Sequence, residues 1–318
     1  MKISGFTMVK NATKLYYPIR QSIESILPIV DEFVVALGDC DEDDNTGDEI
    51  RSIVSDKVKI IPTVWDIEKY PKGTENAHQT DIARSHCSGD WLFYLQADEV
   101  VHEKYLSVIQ KRCEELLYDK DVEGLVFDYV HFWGDYDHYQ SSHVWYPREI
   151  RIIRNDPDIH SWESAQSFRR IPDFDGKNYR QQAGTYRLKC ALAHAKIYHY
   201  GWVRPPLMMQ SKKKSLATIH HGKSQVEEKY KKRAKVFDYG PLGRTEKFKG
   251  SHPKVMMDWI KKFDWADELN YSSKETNPQR EKNKHDRLKY RIVSFIEKHL
   301  LGGRRLGQFK NYNLLKSK

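Results

Sequence analysis

The chain lacks several features that would assign its class at once. No stretch of its 318 residues approaches the ~20 consecutive apolar residues of a membrane-spanning helix. Cysteine is scarce: Cys40, Cys87, Cys113 and Cys190 are too far apart for a paired zinc motif. Reduced thiols in a cytosolic protein are therefore expected. Met1-Lys2-Ile3-Ser4-Gly5 does not open a signal-peptide pattern, so the expected location is cytoplasmic. Neither Gly-x-x-x-x-Gly-Lys-Ser/Thr nor Gly-x-Gly-x-x-Gly follows the first strand signal, where Phe6-Thr7-Met8-Val9-Lys10-Asn11 stands instead. This disfavours P-loop and dinucleotide-binding chemistry, and leaves metal and side chains to neutralise any bound phosphate. There is no internal repeat.

The positive charge is concentrated at one end. The net charge is +8, yet residues 280–318 hold twelve Lys and Arg against Glu281, Asp286 and Glu297. The body is close to neutral and is not a general polyanion binder. Within the tail, Leu288, Ile292, Phe295, Ile296 and Leu300 fall on one helical stripe, with Lys289, Arg291 and Lys298 on other faces. Such a helix can lie on anionic lipid or pack its stripe against the rest of the protein. Nucleic acid is not an expected partner, because the tail has no recognisable module and no interleaved stacking aromatics.

Strand and helix signals alternate through the first hundred residues, which predicts βαβ units and a parallel sheet. Residues 3–9, 33–37, 58–64 and 91–95 read as strands. Helices are predicted over 19–27, from Thr46 (a capping box with Glu49), over 75–88 and over 105–117. Beyond residue 120, segments 124–132 and 149–153 are strand-like with no crossover helix between them, so an antiparallel pair is expected. A third such segment covers 188–200, and helical and loop signals follow Leu207.

Residues 89–99, Gly-Asp-Trp-Leu-Phe-Tyr-Leu-Gln-Ala-Asp-Glu, carry the strongest chemical signal. A buried strand runs into Asp98 and Glu99, and ligands of open α/β sheets sit at the carboxyl ends of strands. Hard oxygen ligands there suit Mg²⁺ or Mn²⁺ on a phosphorylated substrate; the alternative is an acidic cap on a helix beginning near His102. Asp39 ends the second strand and is expected to face the same crevice, whereas Asp41, Glu42, Asp43 and Asp44 read as a solvated loop. Phe132, Trp133, Tyr136, Tyr139, Trp145 and Tyr146 crowd one region, as a platform for sugar faces or as a hydrophobic hairpin. His131, His138 and His143 lie among them at spacings that match no metal motif.

Val9-Lys10-Asn11, Val30-Asp31-Glu32-Phe33-Val34-Val35 with Asp39, and Gly89-Asp90-Trp91 leading to Gln96-Ala97-Asp98-Glu99 together resemble bacterial family 2 glycosyltransferases of the GT-A fold. Arg148-Glu149-Ile150-Arg151-Ile152-Ile153-Arg154-Asn155 and His199-Tyr200-Gly201-Trp202 extend the resemblance, which covers roughly residues 2–205. It implies an α/β GT-A catalytic domain over 1–205, with a mixed, mostly parallel sheet flanked by helices, and a helical basic extension over 206–318. It also implies inverting transfer of a sugar from a nucleotide-diphosphate donor to a glycan, lipid-linked or other hydroxyl acceptor, as in polysaccharide biosynthesis. Val9, Asn11, Asp39, Gln96 and Asp98 would contact the donor. Asp98 would bind Mn²⁺ or Mg²⁺, with His199 as second ligand and Glu99 in support. Gln96 stands where the family's metal motif has its first acid; it can hydrogen-bond but brings no charge. Glu163 is the candidate general base and His160 the alternative. A nucleotidyltransferase and a non-catalytic scaffold are the rival readings, and the basic tail adds peripheral contact with the inner membrane surface as an expectation.

Overall fold

The structure is a computed structural model that describes residues 1–307, 310–315 and 318. Its centre is built by short strands buried at nearly every position: β1 (Ile3–Val9), β2 (Glu32–Leu37) and β4 (Trp91–Tyr94). With β3 (Val58–Pro62) at the half-exposed edge, they form a parallel sheet in the order β3-β2-β1-β4. The crossovers carry α1 (Ile19–Glu24), α2 (Thr46–Arg51) and α3 (Thr74–Ser85). Because β1 lies between β2 and β4, Asp39 and Asp98 end next-but-one strands rather than neighbours.

The capping box expected at Thr46 does not form. Asn45 precedes the helix without a side-chain cap, and the Thr46 hydroxyl accepts the N–H groups of Ala12 (2.6 Å) and Thr13 (3.2 Å). Those donors lie in the irregular loop after β1 and find their partner here, so the hydroxyl is spent on closing that loop.

After β4 the chain turns into β5 (Glu99–Val101) and α4 (Leu106–Glu115). The fully buried Trp91 donates its indole N–H to the Cys113 carbonyl of α4 at 3.0 Å. The sheet then becomes mixed. The predicted antiparallel pair is β6 (Gly124–Trp133) and β8 (Arg148–Arg154), and β8 is also antiparallel to β4, so it stands between the two. β7 (His138–Gln140) folds back on β6, and β9 (Ile159–Trp162) with β10 (Ser167–Arg170) forms a hairpin. β11 (Tyr186–Trp202) runs parallel to β6 and antiparallel to β5 and β10. Its register sets His199 opposite both His131 and Glu99. The mixed α/β sheet flanked by helices that the GT-A fold implies is thus present.

The C-terminal third contains α5 (Pro206–His221), α6 (Lys223–Lys231), β12 (Glu246–Lys247), α7 (Met257–Ile260), α8 (Leu288–His299) and β13 (Tyr312–Leu314). It shares its core with the sheet: Met209, Phe237, Leu242, Met256 and Trp265 pack with Phe132, Trp133, Tyr198 and Tyr200. β12 pairs with β7, and β13 adds to β11 as a parallel strand. The apolar stripe of α8 faces outward, with Leu288 69%, Ile292 50% and Phe295 59% exposed. The buried residue of this helix is Glu297, which accepts from His143, Arg305 and the Leu306 N–H. Lys316, one of the twelve basic tail residues, lies outside the described residues. Among the described residues no helix is long and apolar enough to cross a membrane.

Candidate active site

The turn from β4 to β5 presents Asp98 and Glu99 to different surroundings. Glu99 is fully buried and receives both the Nε–H and an Nη2–H of Arg151 at 2.7 Å each, with the Tyr129 hydroxyl at 2.8 Å. The Arg151 guanidinium, also fully buried, lies near the rings of Tyr94 and Tyr129 and donates to the Gln166 carbonyl at 3.0 Å. With both oxygens taken, Glu99 is a strut of the fold rather than the metal support expected of it. Arg151→Met should therefore leave a buried carboxylate unpaired and cost about 3–5 kcal/mol. Urea denaturation of the variant measures that loss.

Asp98 faces the other way, towards β11 and α5. Its Oδ1 is 3.7 Å from His199 Nε2, and its Oδ2 accepts from Lys212 Nζ at 3.0 Å. Burial works to raise the Asp98 carboxyl, but Lys212, His199 and Arg204 outweigh it and hold it well below the ordinary range. Burial pushes His199 down to about 4 against the pull of Asp98, and burial followed by His199 pushes His131 down to about 3. Both rings are therefore neutral at neutral pH, and the network assigns their tautomers. His131 Nε2 lies 2.8 Å from the Tyr146 carbonyl and must donate to it. Its Nδ1 therefore accepts from His199 Nδ1–H at 3.0 Å. That arrangement leaves a bare lone pair on His199 Nε2 facing Asp98, the state in which an imidazole binds a metal.

A cation fits this pair by a second criterion. A Cβ added at Gly201 would sit 2.4 Å from His199 Nε2 and 2.6 Å from Asp98 Oδ2. The two donors thus converge on one point, which stays open because residue 201 has no side chain. Among the described residues no three His, Cys, Asp or Glu side chains gather to hold a metal. A Mg²⁺ or Mn²⁺ ion here would have two protein ligands and take the rest from phosphate and water, the usual habit of Mg²⁺ at phosphate sites. Lys212, which also donates to the Gly201 carbonyl at 2.6 Å, competes for Asp98.

The other expected donor contacts lie at the carboxyl ends of β1 and β2. Asp39 accepts from the Trp65 N–H (2.9 Å) and pairs with Lys10 (2.8 Å). Burial opposes this, but Lys10 and the Trp65 amide pull its carboxyl below the ordinary range. Val9 is buried in the core, while Asn11, at φ +55°, accepts from the Asp41 N–H at 2.8 Å and clasps the β1 loop to the acidic loop. Asp41 and Asp43 pair with Lys14, and Asp44 accepts from Thr13, so that loop is tied back across the same edge. Glu75 Oε2, Gln79 Oε1 and Trp65 Nε1 are buried there without partners.

Glu163 occupies the turn between β9 and β10, where it and Ala165 adopt φ of +54° and +59°. Non-glycine residues in this region carry strain and concentrate at functional turns. The Glu163 side chain is 40% exposed, with Arg180 Nη2 at 4.0 Å. The Gln96 amide donates to the Ala165 carbonyl at 3.0 Å, and Arg151 holds Gln166, so two tethers join this turn to the Asp98 turn. His160 is committed elsewhere. Its Nδ1 lies 2.7 Å from Asp81 of α3, and Asp81 also accepts the Ser161 N–H at 2.9 Å. A cavity of about 740 Å³ lies beside this turn, lined in part by Lys72, Arg180, His220 and His221.

Sequence reading missed Arg151, His131, Arg204 and Lys212. His131 is the direct register partner of His199, a relation visible only once β6 and β11 are paired. Lys212 comes from α5, outside the segment that carries the family resemblance. Of the clustered aromatics, Phe132, Trp133 and Tyr136 are core, and Trp145 and Tyr146 pack on His131. They wall the site from behind instead of offering a sugar platform. A separate cavity of about 700 Å³ lies between β7 and α8.

No family model matches the chain, and no curated protein matches it. Among solved structures it is similar to S. aureus TarS, at 14% identity and TM-score 0.37, covering 69% of this chain and 39% of that one. The 1–349 form of TarS in complex with UDP gives the same identity and TM-score over 69% and 65% of the two chains. Glucosyl-3-phosphoglycerate synthase from Mycobacterium tuberculosis, in complex with Mn²⁺, UDP and glucosyl-3-phosphoglycerate, gives 17% identity and TM-score 0.28 over 41% and 44%. The chain thus spans less than two thirds of each of these proteins.

Proposed function

We propose that the protein is an inverting glycosyltransferase that moves a sugar, of the hexose class, from a nucleotide-diphosphate donor to a hydroxyl acceptor on a glycan or lipid-linked substrate. The observation that supports this reading is the convergence of Asp98 and His199 on one open point beside Gly201, with the turn that carries Glu163 tethered to the Asp98 turn through the Gln96–Ala165 hydrogen bond. Asp39 receives the nucleoside at the end of β2. Asp98 and His199 would hold Mn²⁺ or Mg²⁺, which when bound supplies Lewis-acid stabilisation of the leaving diphosphate. Glu163 takes the acceptor's proton as its oxygen bonds to the anomeric carbon, on the face opposite the breaking bond to the diphosphate. Gln96 is a positioning residue: it aims the turn and carries no charge.

A panel of UDP-, GDP- and other nucleotide-sugars, followed by thermal shift and slow donor hydrolysis, tests the reading. Hydrolysis of one donor class is the expected result. Synthesis of a nucleotide-sugar from a sugar phosphate and a nucleoside triphosphate would instead mark a nucleotidyltransferase. No response to any donor would mark a scaffold.

The location that suits a lipid-linked acceptor is the cytoplasmic face of a membrane. The outward stripe of α8, with Lys289 and Arg291 exposed on the same helix, supports contact with anionic lipid, worth roughly 1 kcal/mol per basic residue near the surface. Deleting the tail would not test this, because Glu297 and β13 are bonded into the body. Ile292→Glu with Phe295→Glu should instead abolish sedimentation with phosphatidylglycerol vesicles at low salt and leave donor binding unchanged. Equal sedimentation of the double variant and the parent would remove the membrane from the reading.

A further inference from the structure

The ground around Asp98 carries more positive charge than its carboxylate can balance. Glu99 and Arg151 neutralise one another. Asp98 then stands alone against two cations, Lys212 and Arg204, the first 6% exposed and the second fully buried. The Tyr17 ring bridges them, 4.8 Å from Lys212 Nζ and 4.6 Å from the Arg204 guanidinium carbon. Arg204 donates through Nη1 to the Leu15 carbonyl at 2.6 Å, while its Nε and Nη2 are buried with no acceptor. Lys212 spends one proton on Asp98 and one on the Gly201 carbonyl, which leaves a third.

Buried donors without acceptors, and buried charge in excess of its counterion, are costly arrangements that an anion would complete. The loop holding Leu15 and Tyr17 follows β1 at the carboxyl edge of the sheet, where a nucleotide's phosphates fall in such folds. Lysine also suits the task in a way that arginine would not. Its compact charge sits on a flexible four-carbon stem and can exchange one oxygen for another without leaving its place.

We infer that Lys212 is the resident counter-cation of the donor site: it holds Asp98 while the site is empty and transfers its ammonium to the donor's diphosphate on binding, with Arg204 in support. This rests on the reading of the site as one for a nucleotide-diphosphate sugar. Two consequences distinguish it from a site whose only cation is a divalent ion. A nucleoside diphosphate binds with no metal present. In the empty protein, a divalent ion must also displace Lys212 to reach Asp98.

The test is calorimetry of the full chain with UDP, GDP, CDP, ADP and dTDP, in EDTA and again in Mn²⁺, on the parent and on Lys212→Met. One nucleotide should bind the parent in EDTA, and Lys212→Met should weaken that binding at least tenfold while binding in Mn²⁺ survives. Spin-resonance titration of Mn²⁺ without nucleotide should show tighter binding to Lys212→Met than to the parent. Binding to the parent only when Mn²⁺ is present would overturn the inference and leave the proposed function standing. That arm uses the unmodified protein and does not depend on the variant folding. Equal binding by parent and variant in EDTA would also overturn it. If no nucleotide binds the parent under either condition, the inference and the functional reading fall together.

Discussion

Asp98→Asn is expected to reduce sugar transfer by about three orders of magnitude, equivalent to ~4 kcal/mol of transition-state stabilisation, while the protein stays folded. The carboxylate is the charged group that borders the open point beside Gly201, and the amide keeps its shape without its charge. The fold should survive for reasons visible around it. The strut through this turn is Glu99 with Arg151, not Asp98, and the substituted side chain can still accept from Lys212. Burial, with Arg204 adding, has already pushed the Lys212 ammonium down to about 8, so it can shed its proton once its counterion is gone. Mn²⁺ stimulation of turnover should disappear in the variant, and its melting curve should remain a single transition. Undiminished transfer by Asp98→Asn, or by the parent in EDTA, would remove the metal from the chemistry.

The architecture was largely legible because its signals are local. β1 was read at its observed bounds, and β2, β4, β6 and β8 within a residue or two, since each is a run of residues buried on both faces. The strands that escaped, β5, β7, β9, β10, β12 and β13, are two to four residues long, too short for an alternating pattern to register. The site was legible only in part. Asp98, His199 and Glu163 stand at strand ends and turns, where residue type and position already indicate chemistry. Glu99 was misread because its partner, Arg151, lies 52 residues away and meets it only across the sheet. The outward face of α8 could not be settled from its stripe either. An apolar stripe reports helical periodicity, and what covers it is decided by distant segments such as His143, which claims the opposite, acidic face.

Glu163→Gln should retain donor binding and lose ~10² or more in turnover, the usual scale for removing a general base. The swap keeps the size of the side chain and the backbone N–H bond to the Tyr179 carbonyl at 3.0 Å, so the strained turn should hold. An inverting displacement needs a proton acceptor on the face opposite the leaving group, and no nucleophile is required. Loss of turnover without loss of donor affinity is therefore the expected signature. Gln96→Ala makes a useful companion, because it removes the tether at the Ala165 carbonyl while leaving the Glu163 carboxylate in place. Loosening that aim should lower turnover by about tenfold, less than loss of the base itself, since misplacement by an ångström can cost up to ~10². The alternative base has a weaker position, because Asp81 engages His160 and the ring packs against Phe174. If Glu163→Gln turns over at the parent rate and His160→Gln does not, the proton passes to the imidazole, with Asp81 as its orienting carboxylate.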